Sequence, residues 1–301
     1  MQRYEFRDKR YKECLNFCTF VGKIINMKHP ILHLYTMGES VTAFSSTRQG
    51  GYSEGCYGEF NINRYCGDNE NNIRQNKTLL CDLLGIRDEH LIMPHQVHET
   101  EVVMVDDNFL QQSADVRQQQ LEGVDALMTN IPGVCIGVST ADCIPVLLFD
   151  PIKRIAAAIH AGWRGTTKRI VEKSVDAMIA AYGCSPQDVV AQIGPGIHIE
   201  SFEVGDEVYE AFHKEGFLME SISMKYPARD GSSIEKWHIN LPECNRQQLL
   251  SCGIPYSQIT VSEICTYQQH ERFFSARRLG INSGRIFTGI YMSCDAAARI
   301  V

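Results

Sequence analysis

Short apolar runs bounded by turn residues dominate the chain, and amphipathic stretches of helical period fall between them. Ile31–Tyr35 and Val41–Phe44 read as a hairpin about Met37-Gly38-Glu39. Ala126–Thr129 and Val134–Val138, broken by Pro132-Gly133, read as buried strands, as do Ile144–Phe149 and Ile155–Ile159, joined at Asp150-Pro151. Glu101–Val105, Val189–Ile193, Ile259–Ile264 and Ile286–Tyr291 add further strands. Helical spacing marks Asn71–Leu84, stopping at Gly85, and Lys168–Tyr182, stopping at Gly183. Asp206–His213 carries acids in its first turn and closes at Gly216, and Leu241–Leu250 is also helical. Residues 106–122 are polar and without clear period, so a surface loop is expected; residues 221–236 are expected to be a surface loop, with a lid as the alternative. Strands outnumber helices, and the helices are interspersed irregularly. The pattern predicts an α/β fold of α+β type, with mixed β-sheets packed together and flanked by helices. An extension over residues 1–28 is expected to precede a single catalytic domain over 29–301.

The stretch Thr140–Gly165 concentrates the chemistry. A hairpin brings its two ends to the same sheet edge, so Cys143, before one strand, and His160, at the end of the next, can meet. Two accounts follow from that pair. Cys143 is a nucleophile with His160 as its base, or both hold a metal with a third ligand from elsewhere, for which His98 is the natural candidate. Thiolate and imidazole favour zinc or copper over magnesium or calcium. Distant ligands with one position open match a catalytic zinc rather than a structural one. His95 and His98, three apart in a run expected to be extended, would point to opposite faces, so only one is expected to matter. A helix is expected to begin near Thr166. Its amides and Arg164 would then suit an anion such as phosphate. Arg48 beside Gly50-Gly51, and Arg277, Arg278 and Arg285 near the last strand, are further anion candidates, and Asp142 is a candidate acid.

The remaining composition narrows the setting. A formal charge of −7 gives no basic field to collect nucleic acid or anionic lipid, and no apolar run reaches membrane-spanning length. Twelve cysteines are scattered with no C-x-x-C pair and no secretory leader, so a reduced cytoplasmic protein is expected, with most thiols acting as small buried hydrophobes.

Ordered motifs from about residue 30 to the C-terminus carry a resemblance. They are Phe44-Ser45-x-x-Arg48-x-Gly50-Gly51-x-Ser53, Gln96-Val97-His98, Thr140-Ala141-Asp142-Cys143-x-Pro145, His160-Ala161-Gly162-Trp163-Arg164-Gly165, Ile193-Gly194-Pro195 and Phe274-Ser275-x-Arg277-Arg278. The chain resembles the family once described as laccase-like multicopper polyphenol oxidoreductases and now regarded as zinc-dependent purine nucleoside phosphorylases. The resemblance implies a fold similar to the catalytic domain of cytotoxic necrotizing factors, and a zinc held by His98, Cys143 and His160. It also implies phosphorolysis of adenosine, inosine, guanosine and methylthioadenosine, and deamination of adenosine. Phosphate and a purine nucleoside are then the partners, with neither nucleic acid nor membrane. Glu99, Ala276 and Asn240 depart from the family's usual residues and bear on substrate preference, not on the metal triad. Three other readings stand beside this one. The first is an amidase acting on peptidoglycan precursors, a role in which a relative is implicated. The second is a copper polyphenol oxidase, disfavoured because none of the ten histidines forms an H-x-H pair. The third is a noncatalytic metal and ligand binder.

Overall fold

The computed structural model describes residues 28–228 and 234–293. The expected extension therefore lies outside the described residues except for Lys28. In chain order the elements are β1 (Leu32–Tyr35), β2 (Val41–Ser46), α1 (Glu70–Leu84), β3 (Leu91–Ile92), β4 (Val102–Met104), α2 (Asp107–Gln111), α3 (Ala114–Gln120), β5 (Ala126–Thr129) and β6 (Cys135–Thr140). Then follow β7 (Ile144–Asp150), β8 (Ile155–Ala161), α4 (Trp163–Thr167), α5 (Ile170–Tyr182), β9 (Val190–Ile193), β10 (Glu203–Val204), α6 (Asp206–Lys214) and α7 (Met219–Ile222). The chain continues through β11 (Ser223–Pro227), β12 (Glu235–Ile239), α8 (Leu241–Ser251), β13 (Ile259–Val261), α9 (Ala276–Leu279) and β14 (Ile286–Met292).

Two mixed sheets pack face to face, one ordered β1-β2-β14-β6-β3 and the other β13-β9-β7-β8-β5-β4. Strand alternation explains why. In β7, Leu147 and Phe149 face the layer between the sheets, where they meet Val41, Ile136, Val138 and Ile290. Ile144, Val146 and Leu148 face the other way, onto Val171, Val175 and Met178 of α5 and Leu249 of α8. Both faces of β7 and β8 are thus covered, so their sequences read as continuous apolar runs rather than alternating ones. On the far side, Phe44, Phe287 and Tyr291 bury against Leu80 and Leu84 of α1. Each fully buried Leu or Phe contributes roughly 1.5–3 kcal/mol. The result is helix, sheet, sheet, helix: the sandwich of mixed sheets that the pattern predicts. A small antiparallel sheet, β10-β12-β11, lies apart from the two large ones.

The β1–β2 and β7–β8 hairpins form where expected, the second pairing Pro145 with His160. Gly85 and Gly183 close α1 and α5 in left-handed conformation. Three expectations are corrected. Residues 106–122 hold α2 and α3, because Asp106 and Ser113 accept hydrogen bonds from the Phe109 and Val116 amides and so cap two helices that hydrophobic period alone does not reveal. The described part of 221–236 carries the paired strands β11 and β12, with Trp237 stacked on Tyr209. The helix after His160 does not run on from Thr166. A five-residue helix, α4, begins directly after Gly162, and Arg169 at φ 64 breaks it from α5.

Candidate metal centre

Three separate elements deliver the cluster. Cys143 ends the turn leading into β7, His160 sits near the end of β8, and the β7–β8 register sets Pro145 against His160. His98 arrives from a loop that is not extended: its φ is 66, in the left-handed region, and this replaces the expected strand geometry. His95 departs from it and pairs instead with Glu122 while stacking on Tyr65. One nitrogen each from His98 and His160 and the Cys143 sulfur lie within 4.8 Å of one another, the one such group found among the described residues.

The donors fit a thiolate-and-imidazole ion. Gly162 marks the cradle around them. A Cβ there would stand 2.8 Å from His98 Cδ2, 3.0 Å from Cys143 Sγ and 3.7 Å from His160 Nε2, so only a bare backbone leaves the three room to converge.

Asp125 holds this arrangement and is invisible to motif reading. It is fully buried, and its Oδ1 lies 2.7 Å from His160 Nδ1. The same carboxylate accepts hydrogen bonds from the amides of Val97, His98 and Glu99 at 3.2, 3.0 and 2.7 Å. One side chain therefore fixes the orientation of His160 and stabilises the strained loop that presents His98. Its only trace in the sequence is a carboxylate between Val124 and Ala126 at the start of a buried strand, where an acid must find partners. Burial acts to raise its pKa, but the hydrogen bond and charge of His160 and the loop amides outweigh it and hold the carboxyl low. Asp125→Asn is expected to weaken metal binding by about 10–100-fold. It should also cost about 1–3 kcal/mol of stability, because an amide NH2 would face the loop N–H groups. Chelator competition and denaturant unfolding measure the two effects.

Burial also acts to raise the Cys143 thiol, yet the charges of and hydrogen bonds from His160 and His98 prevail and bring it down to about 6. Burial acts to lower His160, and Cys143 and Asp125 together hold it well above the usual imidazole range. Without an ion the pair is a thiolate facing an imidazolium, with a carboxylate behind it.

The cluster opens into a cavity of about 180 Å³ whose wall includes Tyr65, Cys66, Gln96, Thr140 and Arg285. Gln96 spans to β6, donating to Ser139 O and accepting from Ser139 N, which anchors the His98 loop from the other side. A larger cavity of about 630 Å³, between α1 and α3, shares Tyr65 with this one but holds none of the three ligand residues.

The remaining candidates are placed elsewhere. Arg48 donates to Gly58 O and His270 O and lies over Phe274. Arg164 is exposed and stacked on Trp163. Arg277 donates to Glu203 O, and Arg278 to the Tyr267 hydroxyl. Asp142, at φ 85, accepts from the Thr266 hydroxyl through one oxygen and from the Arg277 amide through the other, each at 2.7 Å. Its carboxylate ties the Thr266 segment and the first turn of α9 to the turn beside Cys143. None of these five lines the cavity. Glu99 pairs with Lys168 at 2.5 Å.

Known proteins of the same fold carry related names. A family model described as "Multi-copper polyphenol oxidoreductase laccase" matches residues 42–293. A purine nucleoside phosphorylase of Bacteroides thetaiotaomicron is 49% identical over 251 residues, covering 83% of this chain and 91% of that one. Adenosine deaminase RL5, from an unknown prokaryotic organism, is 42% identical, with 84% and 94% covered. Among solved structures, YfiH of Bacillus licheniformis superposes with a TM-score of 0.80 at 28% identity, covering 89% of this chain and 98% of that one.

Proposed function

The chain belongs to the multi-copper polyphenol oxidoreductase laccase family, and from that premise we propose that it is a zinc-dependent purine nucleoside phosphorylase with adenosine deaminase activity. Adenosine, inosine, guanosine and S-methyl-5'-thioadenosine are its substrates, with inorganic phosphate as co-substrate. The observation that carries the reading is the convergence of His98, Cys143 and His160 on one side of a cavity, beside relatives named for these two activities. No helix among the described residues is long and apolar enough to cross a membrane. The described cysteines are all free thiols. The free thiols accord with a reduced, cytoplasmic enzyme acting on small molecules.

His98, Cys143 and His160 would hold the ion; it supplies Lewis-acid polarisation and a water made acidic enough to act near neutral pH. Zinc is assigned over copper on pattern, since three distant ligands with one position open suit a catalytic zinc. The residues do the rest. Asp125 keeps His160 Nδ1 hydrogen-bonded, so its Nε2 faces the cluster. Asp142 acts through Cys143 by fixing the turn that presents the thiol, since both its oxygens are engaged away from the cavity. The cavity would seat nucleoside and phosphate beside the cluster, and holding two reactants in attack geometry is worth several kcal/mol in a bimolecular transfer. Copper clusters of the laccase kind need more histidine ligands than one His-Cys-His group offers.

A second reading is supported by the line Cys143–His160–Asp125, which in the ion-free form has the roles of a thiol hydrolase: thiolate, imidazolium and orienting carboxylate. It predicts amide cleavage without phosphate. The test is to incubate zinc-loaded protein with adenosine or inosine, with and without phosphate, and separate the products by chromatography. Phosphate-dependent free base and ribose 1-phosphate, with phosphate-independent ammonia from adenosine, are expected. Absence of both, with hydrolysis of an amide bond in a peptidoglycan fragment to carboxylate and amine, would replace the nucleoside reading by the amidase one.

A further inference from the structure

An anion subsite needs a cation that faces the reacting groups, and the motif arginines do not line the cavity. Arg285 does, together with His98, Cys143 and His160. It directly precedes β14, and the register that pairs Ile286 with Thr140 sets Arg285 opposite Ala141, one residue from Thr140. All three line the cavity.

The Arg285 guanidinium is held by its own loop. Nη1 donates to Ser283 O at 2.5 Å and Gly284 O at 3.1 Å, and Nη2 donates to Ile281 O at 2.9 Å. Its backbone amide donates to Asn61 Oδ1. These bonds fix the plane of the fork and leave Nε–H and one Nη2–H without a protein acceptor among the described residues. No carboxylate there forms an ion pair with it, so a half-buried cation keeps its charge uncompensated at the cavity wall. Burial raises the Cys66 thiol in the same wall, and the Arg285 charge is the largest influence opposing that rise.

Thr140 supplies a second, independent observation. It is buried to within 1% exposure, lines the same cavity, and its Oγ1 has no hydrogen-bond partner. A buried hydroxyl left unpaired is costly, and beside a cavity a ligand oxygen can satisfy it. Its neighbour Ser139 is satisfied, with hydroxyl donated to Met93 Sδ and backbone bonded to Gln96. Of the two neighbours on β6 that line the cavity, Thr140 is the one left unpaired, and its register partner Ile286 directly follows Arg285.

We propose that Arg285 and the Thr140 hydroxyl form the oxyanion subsite of this cavity, and that its ligand is the inorganic phosphate of phosphorolysis. The assignment rests on the phosphorylase reading for the identity of the anion. The two free guanidinium hydrogens meet two phosphate oxygens, and Thr140 Oγ1 donates to a third. The phosphate then stands beside the His98–Cys143–His160 cluster, with the nucleoside over the rest of the wall.

The test is calorimetric titration of inorganic phosphate into the zinc-loaded, full-length protein and its variants. Arg285→Gln is expected to weaken phosphate at least tenfold, with Arg285→Lys intermediate because it keeps the charge and loses the fork. Thr140→Val, equal in size, should weaken it about 3–10-fold while leaving the melting temperature close to that of the parent. In turnover, the phosphate KM of each variant rises far more than the nucleoside KM. Wild-type protein that binds no phosphate, or Arg285→Gln that binds it as tightly as wild type, overturns the subsite. Phosphate binding that is lost in the variants, in a protein that cleaves no nucleoside, leaves the subsite standing and overturns the phosphorylase reading instead. Should Arg285→Gln fail to fold, Thr140→Val and Arg285→Lys decide the question by the same titration.

Discussion

Cys143→Ala is expected to remove bound zinc and both nucleoside activities together. Structural zinc sites bind with about 10–16 kcal/mol spread over a few ligands, so loss of one thiolate lowers affinity by roughly 10²–10³-fold or more. Zinc content by mass spectrometry should fall from about one ion per chain to a trace. Phosphorolysis and deamination should fall below detection, while circular dichroism stays native, because Cys143 lies at the cavity rather than in a packed core. The protonation of the site gives the same experiment a second readout. An ion needs Cys143 as thiolate and His160 neutral. With the thiol brought down to about 6 and His160 raised to about 9, one proton must leave between those values and two below them. Zinc affinity of the parent should therefore fall about tenfold per pH unit as pH drops from 9 to 6, and more steeply beneath 6; the sign follows because protons and zinc compete for the same atoms. In Cys143→Ala the thiol proton is gone and His160 loses the partner that chiefly raises it, so residual zinc binding should lack the steeper limb and begin to fall at a lower pH than in the parent. A variant that retains full activity with no metal would end the zinc account and leave no reason for the convergence of these three side chains.

Gly162→Ala should be nearly as damaging through shape alone. Gly162 has φ −68 and ψ 166, extended backbone that alanine adopts without strain, so the methyl group itself is the whole perturbation. That methyl would sit 2.8 Å from His98 Cδ2 and 3.0 Å from Cys143 Sγ, where carbon contacts are comfortable near 3.5–4.0 Å. Neither neighbour yields freely. His98 is pinned in a left-handed loop by Asp125, and Cys143 by the Asp142 turn and the start of β7. A displacement of 0.5–1 Å is enough to spoil coordination and attack geometry, so kcat should fall by about a hundredfold or more. Overpacking should cost about 1–3 kcal/mol in denaturant unfolding. Zinc analysis separates the two causes: a stable Gly162→Ala protein with full zinc and full kcat would show that the cradle has more room than its contacts indicate.

Asp125 shows why part of the centre escaped sequence reading. Its partners are His160, 35 residues away, and the loop at 97–99, and no local spacing ties it to either. The helices at 107–120 escaped for a different reason: caps by Asp106 and Ser113 start them on surface positions where hydrophobic period is absent. The expectation that only one of His95 and His98 sits at the centre agrees with the structure, but through the left-handed turn at His98, not through strand alternation.

The succession of strands along the chain and the β7–β8 hairpin are decided by sequence alone, because two short apolar runs joined by a turn at Asp150-Pro151 are local features, and that hairpin is what lets Cys143 meet His160. His98 is legible as a candidate third ligand and its motif implies the same, but nothing local connects residue 98 to residue 143. The direction of each arginine, the buried carboxylate behind His160 and the unpaired Thr140 hydroxyl were settled by tertiary structure. A guanidinium on a flexible stem goes where carbonyls and rings from distant segments receive it, and a buried polar atom is satisfied or left waiting according to what the packing of two sheets brings opposite it.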